Sequence, residues 1–332
     1  MPMTDRNRIL QVLVPVVGLA LLGGLFVQLG PWRILSLLQS IGWSFFLVLA
    51  AFGGQECFRA LALRRCLTPG DRPPFLRVLL VQFFAEAVRT VTHTGPFLSE
   101  PARAWMFGKQ GVDSTRAYGA AVSEVIANSV ISALIPIFVL AFALWRSELS
   151  QQLRVLSLVL VWGSIVYVTA MVMALATRAH VIGAIVRIAG LVPVIGRRLK
   201  RDSDRVRRME EAALLVSQHQ PSAIFQVVLL ELGAQAMLVI ENYWAIGAMG
   251  QPISMATALL VECLTKAANG IQLFGATEAG YAVVFNWLGM MAAVGFTLSL
   301  VKRLRSLVVT GLAFGLLSKP HSDWAVQPTS TS

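Results

Sequence analysis

Apolar positions fall in long runs along the chain. Residues 9–29, 41–63, 117–144, 155–176, 223–249 and 255–274 each approach or exceed the roughly 20 residues that a bilayer-spanning helix requires. The second run begins as early as Ile34, and a last apolar stretch over 290–317 is interrupted by Lys302-Arg303-Leu304-Arg305. The pattern predicts an all-α, polytopic transmembrane helical bundle forming a single membrane domain over 1–318. Within it, a first half spans about 1–177, a basic cytoplasmic linker about 178–220 and a second half about 221–318, before a disordered polar tail over 319–332. Residues 1–8 followed by 9–29 resemble a signal peptide, but the run is too long and lacks a small-residue cleavage site, so it reads as a retained first span.

Two breaks disturb this pattern. The stretch 82–111 is an apolar helix carrying Glu86, Arg89 and His93; it breaks at Thr94-Gly95-Pro96 and restarts at Ser99-Glu100-Pro101. Basic residues mark cytoplasmic connections. They crowd around Pro69-Gly70-Asp71, where Arg59, Arg64, Arg65, Arg72 and Arg77 gather, and again over 178–208. Both stretches lie on one side only if 75–93 and 99–111 form a hairpin that turns inside the bilayer and returns Arg103, Lys109 and Arg116 to the cytoplasm. Such a re-entrant turn is tolerated where it is buried in protein or lines a wet cavity.

The second break, Gly275-Ala276-Thr277-Glu278, echoes the first. A helix bearing Glu262, Lys266 and Asn269 precedes it, and a short apolar piece over 279–288 follows. The loop around Gly250-Gln251-Pro252 lacks lysine and arginine, as an external loop should. Interrupted segments at corresponding positions of two halves point to a transporter site. The reading is two re-entrant, broken-helix hairpins, with an inverted repeat left open.

The polar residues inside the runs share faces. All six aspartates lie in loops or tails, whereas Glu86, Glu124, Glu231, Glu241 and Glu262 fall within apolar runs. At about 100° per residue, Glu86 aligns with Thr90 and His93, Glu231 with Gln235 and Asn242, Glu262 with Lys266 and Asn269, and Glu124 with Asn128. These stripes either hold helices together or line a hydrated cavity, and four of them with two glutamate-bearing breaks favour the cavity. Ser99 and Thr277 are expected as N-caps, with Pro101 in a first turn. Helix starts at membrane depth offer N–H groups to an anion such as a lipid phosphate. Glu100 and Glu278 compete for those groups, which leaves Arg89, Arg103, Lys266, Arg303 and Arg305 as phosphate partners, with snorkelling of the last two and of Arg103 as the alternative.

Composition agrees: 56 % of the 332 residues are hydrophobic, 14 % are charged, and mean hydropathy is +0.69. The net charge of +11 sits in loops, which argues for anionic lipid contact over 197–208 or topology, and against nucleic acid. Cys57, Cys66 and Cys263 lack metal or disulfide spacing, and His93, His180, His219 and His321 are scattered. No nucleotide-binding or hydrolase motif occurs. No metal, cofactor or catalytic residue is therefore expected.

The segment GPFLSEPARAWMFGKQGVDSTRAYGAAVSEVIAN resembles the hallmark region of the lysylphosphatidylglycerol synthase transmembrane region, or flippase-like, family, and GATEAGYAVVFNWLG resembles its second hallmark. The resemblance implies a bacterial or archaeal multi-pass protein of the cytoplasmic (inner) membrane that moves polar lipids between leaflets. By position, Glu100, Arg103, Glu124 and Glu278 match its recurring residues. Glu124-Val125 and Asn128 depart from the Glu-Arg and downstream Asp that the family often carries. With only a polar tail after Leu317, no aminoacyl transfer is expected.

The site nominated for headgroup passage is Glu86, Arg89, His93, Ser99, Glu100, Arg103, Glu124, Asn128, Glu231, Glu262, Lys266, Asn269, Thr277, Glu278 and Arg303. It forms a polar groove between the hairpins in which Glu100 and Glu278 gate or carry protons. The expected partner is a membrane lipid with an anionic or phosphate-bearing headgroup, beside a homo-oligomer or envelope-lipid synthesis enzymes, with both termini cytoplasmic. The alternatives are a membrane-embedded enzyme acting on a lipid-linked substrate and a non-catalytic accessory subunit.

Overall fold

A computed structural model describes residues 23–92, 96–146, 149–176, 221–270 and 275–317. Several expectations lie outside the described residues: the start of the first span, His93 with Thr94-Gly95, the stretch 178–208 with its short segment 181–195, the amphipathic helix over 203–219, the approach 271–274 to the second turn, and the tail. The same holds for the side chain of Asn269.

All regular structure among the described residues is helical. After a helical stretch at 23–28, the helices are α1 (Pro31–Ile41), α2 (Ser44–Cys66), α3 (Phe75–Thr92), α4 (Pro96–Lys109), α5 (Ser114–Arg146), α6 (Gln151–Ala176), α7 (Pro221–Ala248), α8 (Met255–Gly270), α9 (Ala276–Trp287) and α10 (Ala292–Leu317), with a 3₁₀ turn at Pro69–Asp71. Four are long and apolar enough to cross a bilayer: α2, α5, α6 over Gln151–Met173, and α7 over Ala223–Ala248. In α6 only 6 % of the most apolar window is buried, and Val159, Trp162 and Val166 are exposed. A face so apolar and so uncovered is a lipid face.

The boundaries correct several expectations. The apolar run leading from Ile34 into 41–63 is two helices, because Gly42 takes φ 40° and ψ −123°, a conformation only glycine adopts readily. The helix after the first break starts at Pro96 rather than Ser99. Proline has no N–H to leave unsatisfied at a helix start, so it suits that position better than a residue one turn inside. Pro101 is consequently inside α4. The basic segment 302–305 does not interrupt the last stretch, since α10 runs through it.

The chain divides into two compact units. The first comprises Met1–Gly53, Ile135–Ser164 and Ala236–Arg305; the second comprises Gly54–Leu134, Ile165–Gln235 and Ser306–Ser332. In the second unit, α3 packs on α4, and Leu63, Leu67, Val78, Val81, Phe107 and Val112 join one apolar cluster. Small residues at Ala60, Ala117, Ala120 and Ala121 let these helices approach closely. Leu67, just after α2, and Val112, just before α5, both join that cluster.

Polar contacts tie the same end together. Arg72 Nε donates to Leu67 O (3.0 Å) and Arg64 Nε to Pro73 O (2.9 Å), which satisfies carbonyls around the end of α2. Arg116 Nη1 reaches Asp71 Oδ2 at 3.0 Å, and Asp113 accepts from the backbone N–H groups of Thr115 and Arg116 to cap α5. The Thr68 hydroxyl, and after it Arg116, hold the Asp71 carboxyl below its ordinary 3.8.

The first unit has a matching hairpin. α8 packs on α9, and Ile253 before α8 lies on the same apolar cluster as Leu288, Met290 and Met291 after α9.

Candidate functional site

Each unit buries an ionic cluster. In the second, α2 contributes Glu56 and Arg59, α3 Gln82, Glu86 and Arg89, α4 Ser99, Glu100 and Arg103, α5 Glu124, and α7 Glu231. Glu124 is the hub and is fully buried. Its Oε1 accepts from Arg59 Nε (3.0 Å) and its Oε2 from Arg103 Nη1 (2.7 Å). Arg103 Nη1 also donates to Glu100 Oε2 at 3.0 Å, and the Ser99 hydroxyl donates to Glu100 Oε1 at 2.9 Å. Gln82 Nε2 donates to Glu56 Oε2 at 2.8 Å, while Arg89 pairs with Glu86 one turn away. Ser99 is thus a side-chain ligand of Glu100, not a cap.

Among the described residues, five carboxylates face three guanidinium groups in this cluster. Burying charge is costly unless each ion is paired and hydrogen-bonded, and the excess is acidic. Glu231 bears it. The residue is fully buried, and neither carboxylate oxygen has a hydrogen-bond partner among the described residues. One turn on, Gln235 Nε2 donates to Asn128 Oδ1 (3.2 Å) and Ser132 Oγ (2.7 Å), joining two of the expected stripes.

In the first unit the organising element is α10, whose Lys302, Arg303 and Arg305 meet glutamates from three other helices. Lys302 Nζ donates to Glu262 Oε2 of α8 (3.3 Å), and the same oxygen accepts from Asn242 Nδ2 of α7 (2.8 Å). Arg303 Nη1 lies 2.9 Å from Glu278 Oε1 of α9. Arg305 pairs with Glu241 of α7, its guanidinium stacked 3.9 Å above the Phe52 ring. Lys266 is half-buried within electrostatic range of Glu262. Among the described residues, three carboxylates here face four basic groups.

The second turn is built by Glu278. Gly275 (φ 82°) is the N-cap of α9, and its N–H donates to Glu278 Oε2 at 2.8 Å. Thr277 is therefore the second residue of the helix rather than its cap, and the carboxylate occupies part of the anion position expected at that N-terminus.

The nominated residues thus separate into two groups. Glu86, Arg89, Ser99, Glu100, Arg103, Glu124, Asn128 and Glu231 lie in the second unit; Glu262, Lys266, Thr277, Glu278 and Arg303 lie in the first. Among the basic residues, Arg103 and Arg305 are buried, whereas Arg89, Lys266 and Arg303 keep surface that a ligand can reach. Asn242 leaves the Glu231 stripe to serve Glu262. A shallow cleft of about 440 Å³ beside Gln151, Val155 and Trp287 involves none of these residues.

Sequence reasoning does not reach Glu56, Gln82 or Lys302, and it assigns Arg59 to the basic loop. Arg59 instead lies inside α2, 2 % exposed. The signal available was Glu56 and Arg59 three residues apart in an apolar run, the spacing that brings two side chains onto one helix face.

No curated protein and no solved structure matches this chain. The family model described as Lysylphosphatidylglycerol synthase TM region matches residues 9–313. With lipid-exposed spanning helices and nearly the full length matched, the chain is a multi-pass membrane protein belonging to the lysylphosphatidylglycerol synthase transmembrane-region family.

Proposed function

We propose that this protein is a lipid transporter of the flippase kind, which lets a phosphate-bearing headgroup pass between leaflets of a bacterial or archaeal cytoplasmic membrane while the tails stay in the bilayer. The observation that carries the reading is the charged segment of α10. A helix that places Lys302, Arg303 and Arg305 against buried glutamates of three neighbours, with Lys266 beside them, spends much more polar surface than packing in lipid requires. Four basic groups gathered in one place suit a phosphate, and Arg303 and Lys266, which keep exposed surface, are the ones placed to meet it. The family supports a role with membrane lipids, and its matched part is a membrane region rather than a catalytic domain.

The re-entrant character of both hairpins belongs to this proposal. It draws support from the Asp71–Arg116 contact, which joins the loop before α3 to the start of α5, and from the shared apolar cluster at both ends of the second hairpin. Loop charge further puts the Pro69–Asp71 turn on the cytoplasmic face.

The test is leaflet exchange of labelled lipids in reconstituted vesicles. Wild type is expected to speed exchange of phosphate-bearing lipids over empty vesicles, and Lys266→Ala with Arg303→Ala to slow it by roughly tenfold or more, as expected for losing a charge-assisted hydrogen bond. Equal exchange by wild type, this variant and Glu100→Ala/Glu278→Ala across a broad headgroup panel would remove these residues from the site. One feature favours a second reading. Ion pairs satisfied within the chain also suit a non-transporting subunit of a lipid-synthesis complex, for which the expected result is stable co-purification with a synthase and no exchange by the protein alone.

A further inference from the structure

Glu100 and Glu278 have their charge met within the chain: Glu100 by Ser99 and Arg103, Glu278 by the Gly275 N–H and Arg303. Glu231 does not. It is fully buried, and among the described residues neither oxygen finds a hydrogen-bond donor. The charged and titratable groups facing it are Glu56, Arg59 and Cys66 of α2, Arg103 of α4 and Glu124 of α5. Both arginines are held by Glu124 (3.0 and 2.7 Å), and with Glu56 beside them their two charges are already matched before Glu231 is counted. An ionised carboxylate without a donor in such a place is strongly disfavoured, and a bound proton removes that penalty.

We propose that Glu231 is a proton-binding site, protonated in the conformation described and able to release its proton when Arg59 or Arg103 leaves Glu124 and turns to it. The proton passes from the carboxyl to water, and the freed carboxylate takes over the released guanidinium. Anything that moves those arginines is then coupled to proton binding. The site stands on its own geometry, while its use as the coupling ion of lipid movement rests on the transport reading above.

The test uses the full chain in phosphatidylcholine/phosphatidylglycerol vesicles, with infrared spectra taken in H₂O and D₂O across a pH series. A protonated-carboxyl C=O band, shifted by deuteration and still present near about pH 7, is expected in wild type and lost in Glu231→Gln. That variant imitates the protonated state and should retain the wild-type thermal midpoint. Absence of the band from wild type overturns the proposal even if the variant does not fold. A band that persists unchanged in folded Glu231→Gln also overturns it, because the proton then sits elsewhere, Glu56 included. Lipid exchange is measured on the same vesicles. A band without exchange upholds the proton site and counts against the transport reading, whereas exchange without a band does the reverse.

Discussion

Glu124 and Arg103 show how unequal the members of one ion network are. Removing one partner of a buried pair usually costs about 3–5 kcal/mol, because the other is left buried and uncompensated. Replacing Arg103 strips a donor from both Glu100 and Glu124 and leaves five carboxylates against two arginines, so Arg103→Gln is expected to cost that full amount. Replacing Glu124 lowers the acidic excess instead, and Glu231 stands ready to ionise beside Arg59. Glu124→Gln should therefore be milder. The pair Glu124→Gln/Glu231→Gln should then cost more than the two single changes summed, with a coupling of about 0.5–3 kcal/mol. Thermal or denaturant unfolding of the four proteins in one detergent measures it. Strict additivity would mean that Glu231 does not take over from Glu124.

At the scale of elements, α9 and α10 of the first unit are held by shape as well as charge. A Cβ built on Gly295 of α10 falls 2.5 Å from the Tyr281 carbonyl oxygen and 2.7 Å from the Phe285 ring. The ring can turn, but a carbonyl inside a helix cannot, so α10 must move away. Gly295→Ala is expected to destabilise by about 1–3 kcal/mol and to loosen the pairing of Arg303 with Glu278. Gly311→Ala on the same helix meets nothing within 4 Å and serves as a neutral to slightly stabilising control. If the two variants melt together, the close approach of α9 and α10 is not real. Such contacts are illegible in one sequence, since nothing near Gly295 announces that Tyr281 will face it. The pairing of Arg305 with Glu241 and of Arg59 with Glu124 is hidden for the same reason: each crosses about 65 residues. What could be read was local. Apolar run lengths marked the spanning helices, and glycine and proline marked the breaks. Helical phase set Glu231 and Gln235 on one face, and Glu262 with Lys266 on another. The helix after the first break starts one turn earlier, at Pro96, because proline suits a first position, and the Ser99 hydroxyl, one turn inside, bonds Glu100.

For the whole molecule, loop charge makes a statement about sides that no motif makes, because lipid makes the side of each connection a property of its lysines and arginines. Parity of those loops asks that the first hairpin return to the side it left, which remains part of the proposal, and the Asp71–Arg116 contact is compatible with it. The same logic can be applied experimentally without reference to transport. In a background with Cys57, Cys66 and Cys263 replaced, single cysteines are introduced as Gly70→Cys, Ser114→Cys, Ser254→Cys and Met290→Cys, at positions flanking the two hairpins. A membrane-impermeant thiol reagent then reports the face of each in sealed, oriented vesicles. Positions 70 and 114 are expected to react from one face, the cytoplasmic one by loop charge. Positions 254 and 290 should share a face with each other, the external one for the loop that lacks lysine and arginine. If 70 and 114 react from opposite faces, α3 and α4 together cross the bilayer an odd number of times and the re-entrant turn is lost. Because a broken helix inside lipid is tolerated only where protein or water satisfies its backbone, that result would also remove the physical reason for a hydrated site at α4, whatever lipid the protein handles.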